Sequence, residues 1–189
     1  MTSASPLSNV ASPAMPADVA AVHEAHADFV WRTLQRLGVH QQDLEDVLQE
    51  VFLVVHKRLS TFDHSSQLTT WLFGICLRVA AAYRRRAHRR HETLGLGPEE
   101  ALLRDGAADP EQVLAQREAL RRLELALETL GLERRAVFVM FEIEGISAPA
   151  IADIMGVPVG TIYSRLSTAR AEFTRAVERM EKQEKRGRP

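Results

Sequence analysis

Apolar positions recur at helical spacing along most of this chain, and nowhere do they alternate as a half-buried strand requires. Between residues 19 and 37 the recurring set is Val22, Phe29, Val30, Leu34 and Leu37, and Gly38 ends the run. From 42 to 59 the stripe is Leu44, Val47, Leu48, Val51, Phe52, Val55 and Leu59. A polar stretch, STFDHSSQ, then predicts a loop over 60–67. From 68 to 91 Leu68, Leu72, Ile75, Val79 and Tyr83 share a face, with Trp71, Arg78 and Arg85 along its edge. Trp71 keeps the company of Leu72 and Ile75, which favours a packing role over a stacking platform. A second helical block opens at Asp109-Pro110, an N-cap followed by Pro at the first helical position. It carries Leu120, Leu123, Leu127 and Leu130 up to Gly131, then Val137, Phe138, Met140, Phe141 and Ile143 up to Gly145.

The last apolar block, residues 151–173, predicts a helix pair with a tight turn. Gly156 suits the left-handed position that closes a helix, and Pro158 suits the first turn of the next one. Ser147 is placed to cap the first helix of the pair. Ile151, Ile154, Val157, Ile162 and Leu166 can fill the crossing, and Ala152 lets the helices approach. At about 100° per residue, Ile162, Leu166, Ala169 and Phe173 face one way and Gly160, Ser164, Ser167 and Ala171 the other. This is the spacing of a helix-turn-helix, whose second helix enters the major groove of DNA. Arg165 and Arg170 suit phosphates beside the groove, and Thr161, Tyr163, Ser164, Ser167 and Thr168 suit base edges. A solvated amphipathic helix is the plainer alternative, which the Gly-Val-Pro turn disfavours.

Charge alters the picture through its placement. Lys plus Arg (24) nearly balances Asp plus Glu (25) in 189 residues, so the total says nothing about partners. Between His64 and His91 there is no acidic residue, yet Arg78, Arg84, Arg85, Arg86, Arg89 and Arg90 all fall there. That many arginines exceed what the C-terminal dipole of a helix needs, and they predict a phosphate-backbone contact. Asp43, Glu45, Asp46 and Glu50 crowd the start of the second helix, and His56, Lys57 and Arg58 end it. The helix dipole suffices to explain that order; an acidic face for a basic partner is the alternative.

Residues 1–18 are rich in Ser, Pro and Ala and predict a disordered lead-in; residues 92–110 predict a flexible acidic linker. The resulting expectation is an all-α protein of two small helical domains, 19–91 and 111–180, with a charged, frayed tail over 181–189. One cysteine, Cys76, excludes an internal disulfide and a cysteine-rich zinc site, which fits a reducing cytoplasm. His23 and His26 share a helical face without an evident third ligand, so no metal or other cofactor is expected. No run reaches the ~18 apolar residues of a membrane span, and no signal-peptide pattern opens the chain. A Gly-rich phosphate loop and a nucleophile–base set are both missing from the sequence, so an enzyme is not expected.

The order of these segments resembles a bacterial sigma factor of the sigma-70 family, in its small extracytoplasmic-function (ECF) form. DLEDVLQEVFLVVHKRLSTFD is similar to region 2.2, which binds core RNA polymerase. TTWLFGICLRVAAAYRRR is similar to the helix of regions 2.3–2.4 that melts and reads the −10 element. LETLGLERRAVFVMFEIEGISAPAIADIMGVPVGTIYSRLSTAR is similar to region 4, which reads the −35 element. The likeness spans about residues 29–177.

The resemblance implies several roles. Asp46, Gln49 and Glu50, with Asp43 beside them, would engage the coiled coil of the polymerase β′ subunit, and region 4 the β flap. The loop residues Phe62, Asp63, Ser65, Ser66 and Gln67 would capture a base flipped from the −10 strand. It also implies promoter DNA and an anti-sigma factor as partners, a place in the cytoplasm at the nucleoid, and no catalysis. The chain departs from the family pattern in having Arg78 where Asn is usual and Ala82 where Asp is frequent. Ser167 and Thr168 replace bulkier or basic residues, and Pro149 replaces an acidic one. Altered promoter preference is the expected consequence. A stand-alone helix-turn-helix regulator is the second reading; it would need a sensor or dimer interface where this chain has an acidic helix and an arginine-ended one.

Overall fold

The computed structural model describes residues 18–94 and 110–187. The lead-in before residue 18 and the central part of the expected linker lie outside them, as does the Asp109 cap. Seven helices are described: α1 (Val19–Arg36), α2 (Leu44–Arg58), α3 (Leu68–Leu94), α4 (Pro110–Glu128), α5 (Leu132–Phe138), α6 (Ala148–Met155) and α7 (Val159–Gly187). No strand occurs among the described residues.

In the N-terminal domain α1, α2 and α3 pack mutually. The Asp18 carboxylate accepts from the Ala20 N–H at 3.1 Å, satisfying one free donor of α1. Gly38, at φ 87°, turns the chain out of α1, and the Val39 N–H returns to the Leu34 carbonyl at 3.1 Å. The stripe expected on α2 is buried at Leu44, Val47, Val51, Phe52 and Val55. On α3 burial reaches beyond the single expected face: Phe73, Cys76 and Ala80 are as inaccessible as Leu72. The run WLFGICL is apolar around most of a turn, and a helix of that kind is covered on more than one side.

The C-terminal domain joins α5 to α7 and α6 to α7, with α4 lying against α7. Residues 133–144, expected as one helix, form α5 and then a π turn over Val139–Ile143, and Gly145 at φ 65° ends it. Val139 and Met140 at its start are both fully buried, continuing the burial of residues 135–138 in α5. Ser147 caps α6, accepting from the Ala150 N–H at 3.4 Å, and Pro149 falls in its first turn. Helix α7 runs on to Gly187, so the expected frayed tail is helical over nearly all its length. Its last turns carry Glu178, Arg179, Glu181, Lys182 and Lys185, a mixed-charge surface that a long helix tolerates.

The two domains also touch. Their buried side chains form one continuous cluster, and α6 lies on α3, where Gly74 leaves Ile154 room to approach.

Candidate nucleic-acid interface

The crossing of α6 and α7 is built as the sequence predicts. Gly156 takes φ 65° and ψ 38°, and Val157 donates back to the Ala152 carbonyl at 3.1 Å. Ile151, Ile162, Leu166 and Ala169 are buried at the crossing, and Phe173 stacks on Phe138 with ring centroids 4.7 Å apart. Opposite them Gly160, Ser164, Ser167 and Ala171 are exposed, leaving a shallow, small-residue face. Tyr163 projects from it at 56% exposure. The hydroxyls of Ser164 and Thr168 donate to the carbonyls of Thr161 and Ser164 within the helix (2.9 and 3.1 Å). Both keep lone pairs available to an outside donor.

The flanking arginines are engaged. Arg165 pairs with Glu133 at 2.6 Å and is mostly covered, and Arg170 pairs with Glu142 at 2.6 Å while lying over the Phe141 ring. Both pairs join α7 to the α5 segment, so each must open before its guanidinium can meet a phosphate. Each pair keeps one partner more than half exposed, and pairs that open to water are worth about 1 kcal/mol or less, so a phosphate can displace them.

The loop before α3 is held by a short turn of its own. Asp63 accepts from the Ser65 N–H (3.1 Å) and hydroxyl (2.8 Å), and these bonds hold its carboxyl below the usual value of 3.8. His64 takes φ 60°, a left-handed conformation for a residue with a side chain. Phe62 is buried against Trp71 (5.2 Å between centroids), so it anchors the loop from beneath and offers no face to a base. Ser65, Ser66 and Gln67 are exposed and can meet one. Trp71 is half-buried, in the packing role expected of it.

Along α3, Arg78, Arg85, Arg86 and Arg89 are exposed and Arg84 is half-buried; the side chain of Arg90 lies outside the described residues, as do those of His88 and His91. Arg86 donates to both carboxylate oxygens of Glu50 at 2.8 and 3.0 Å. One member of the acidic face on α2 is therefore coupled to one member of the basic row on α3. Asp46 and Gln49 stay exposed on the same face. Asp43 does not join them: its carboxylate accepts from the Tyr83 hydroxyl at 2.6 Å, which ties α3 to the start of α2. That bond gives Asp43 a structural partner, and a helical wheel could not reveal a partner on another helix.

Sequence reasoning passed over Arg135. It occupies a core-face position of α5, in line with Leu132, Ala136 and Val139, and is 2% exposed. Its Nε donates to the carbonyl of Arg36 at the end of α1. Burial, with Arg84 adding repulsion, pulls its guanidinium down to about 10, against the opposing charges of Glu128 and Glu124. The one signal available was a charge interrupting an apolar stripe.

No group of three metal-ligating side chains occurs among the described residues, and His23 packs on the Phe52 ring at 4.4 Å. No described helix is long and apolar enough to cross a membrane.

Residues 22–90 match sigma-70 region 2, and residues 120–173 match sigma-70 region 4. The chain is 30% identical to the ECF RNA polymerase sigma-E factor of Escherichia coli K12, over 72% of this chain and 74% of that one. The chain belongs to the ECF branch of the sigma-70 family. The RNA polymerase sigma factor CnrH of Cupriavidus metallidurans is 30% identical over 79% of this chain and 81% of its own. The sigma factor RpoE of Bartonella quintana, solved with the anti-sigma factor NepR, shares the fold with a TM-score of 0.68. That likeness covers 84% of this chain and 96% of RpoE at 21% identity. CnrH, solved with the cytosolic domain of CnrY, gives a TM-score of 0.59 at 24% identity, covering 85% and 87%. The region 2 match runs from within α1 to near the end of α3, and the region 4 match from within α4 to within α7.

Proposed function

We propose that this sigma factor binds core RNA polymerase, brings it to a specific set of promoters and helps open them. The observation that carries the reading is that one chain holds, in order, an acidic helix face, an arginine-lined helix with a polar loop at its start, and a helix-turn-helix with an exposed recognition face. Each module is weak alone. Tethered to polymerase and to each other, two modest DNA contacts act through effective concentration.

In this reading Asp46, Gln49 and Glu50 on α2 dock the β′ coiled coil, and region 4 meets the β flap. Ser65, Ser66 and Gln67 receive an extruded −10 base. Unstacking it costs a few kcal/mol, offset by the loop contacts and by the cations of α3 on the strand backbone. Arg78, Arg84, Arg85, Arg86, Arg89 and Arg90 supply those cations. Thr161, Tyr163, Ser164, Ser167 and Thr168 read the −35 element between Arg165 and Arg170. Arg78 and Ala82 on α3, with Ser167 and Thr168 on α7, set a base preference away from the commonest family promoters. The factor is non-catalytic, works in the cytoplasm where the DNA is, and is held by an anti-sigma factor, as RpoE is in its solved complex.

The test is reconstitution with core polymerase followed by run-off transcription from a promoter library. Failure to bind core would sink the reading. Tight promoter binding by the chain alone, unchanged by polymerase, would instead favour the stand-alone regulator. A narrower measurement concerns Arg165. Its replacement by Ala is expected to weaken holoenzyme binding at −35 and to lower the slope of log K against log salt by about one phosphate contact. An unchanged slope would leave Arg165 with only its Glu133 pairing.

A further inference from the structure

Two guanidinium groups, those of Arg84 on α3 and Arg135 on α5, converge over Gly38. A Cβ at residue 38 would stand 2.6 Å from Nη1 of Arg135 and 2.7 Å from Nη1 of Arg84, so the two nitrogens are no farther apart than those distances combined. Glycine is needed there for space as well as for its φ of 87°. Arg135 is 2% exposed, and its Nε is taken by the Arg36 carbonyl. Neighbouring arginines have carboxylates of their own: Arg36 pairs with Glu144 at 2.6 Å and Arg134 with Glu172 at 2.9 Å. Among the described residues no carboxylate makes such a contact with Arg84 or Arg135. Glu124 and Glu128 act on Arg135 only across a gap, and they do not offset the burial and the Arg84 repulsion that pull its guanidinium down. A buried cation beside a second cation, with no anion in contact, is a costly arrangement that a bound anion relieves.

The space for one is present. Arg84 and Arg135 line a crevice of about 290 Å³ together with Gly38, His40, Glu124 and Glu128. At ~30 Å³ per water, it has room for a tetrahedral oxyanion and several waters. The planar fork of each guanidinium matches the oxygens of a phosphate or carboxylate, and two forks side by side can share one such group. The acidic residues set the limit on what enters. Glu124 is fixed by the Gln35 amide, which donates to it at 2.5 Å, and Glu128 lines the same crevice. A ligand carrying several negative charges would meet their repulsion, whereas a small oxyanion can stay at the arginine end. Arg135 also lies too deep for the backbone of a DNA strand to touch.

We propose that this crevice is a binding site for a small free oxyanion of the phosphate kind, held between the guanidinium forks of Arg84 and Arg135. The site stands without the function proposed above. The two meet only at Arg84, assigned there to the −10 backbone: an occupied crevice keeps that cation from the strand.

The test titrates inorganic phosphate into the free full-length chain and follows backbone amides by heteronuclear NMR. Phosphate replaces chloride at fixed ionic strength, so that screening stays constant. The Gly38 amide is expected to shift and saturate with a Kd on the order of 1 mM, the scale of a few charge-assisted hydrogen bonds. Arg84→Gln, at a half-buried position, should weaken that binding about tenfold or more. Glu124→Gln can still accept from Gln35 but removes a negative charge from the crevice, and it should tighten binding severalfold. A gain of that kind cannot come from a damaged fold. No saturable shift at Gly38, shifts spread evenly along the arginines of α3, or a Glu124→Gln chain that binds no better would each overturn the site. Single-stranded DNA at equal phosphate concentration is expected to leave the Gly38 amide in place. If it moves that amide as free phosphate does, the arginines belong to the nucleic-acid surface and the proposal falls. Failure to bind core polymerase would count against the proposed function alone, because every arm of this test uses the free chain.

Discussion

Leu166→Ala is expected to destabilise region 4 by about 2–5 kcal/mol, the range for truncating a fully buried leucine. Leu166 is 2% exposed and lies beneath the recognition face of α7, among Ile151, Ile162 and Ala169. The domain cannot collapse into the gap easily, because α6 is only eight residues long and pinned at both ends, by Ser147 and by Gly156. Against a total stability of about 5–15 kcal/mol, that loss is large, and a fall in Tm of order 10 °C should accompany it. Thermal unfolding followed by circular dichroism, with −35 binding by holoenzyme measured in parallel, checks both. Ser167→Ala, one residue along but exposed, should leave Tm nearly unchanged and alter which −35 sequences are bound. If Leu166→Ala melts like the wild type, the packing account of the recognition helix is wrong.

Glu50→Lys is expected to cut affinity for core polymerase by roughly 10- to 100-fold, the scale of reversing a charge at a complementary interface. The protein's own stability should move by under about 1 kcal/mol, since the Glu50–Arg86 pair is nearly half exposed. Arg86→Ala separates two explanations. If Glu50 serves only to hold Arg86, both substitutions should act alike on −10 opening and spare core binding. If Glu50 docks polymerase, Arg86→Ala keeps core affinity and Glu50→Lys loses it. Titration of labelled factor into core distinguishes the two.

Asp43, Glu50 and Arg135 show how far residue pattern carries. All three are charged residues on or at the start of amphipathic helices, and periodicity placed the helices correctly. Asp43 and Glu50 share an acidic helix half, yet one bonds Tyr83 and the other Arg86, both some forty positions away in sequence. Their different fates depend on where α3 crosses α2. Arg135 went unremarked in the sequence, and only the end of α1 above it shows why a charge lies on the core side of α5. Phe62 belongs with them: the family resemblance placed it in a base-capturing loop, and only the position of Trp71 shows that it points inward.

Local chemistry was sufficient for the elements. Glycines at 38, 145 and 156 stop helices because each adopts a positive φ that costs other residues steric strain. Apolar stripes at helical spacing fixed which face of α2 and α7 is buried, since a helix with one apolar side has one way to hide it. The order of an acidic helix, an arginine-ended helix and a helix-turn-helix was enough to reach the sigma-70 family. What the sequence left open was the relation between its two halves. Periodicity describes one helix at a time, whereas the packing of α6 on α3, the gap over Gly38 and the meeting of Arg36 with Glu144 join residues over a hundred positions apart. Only the tertiary structure brings those charges within bonding distance, and it is there that two separately legible domains become one closed molecule.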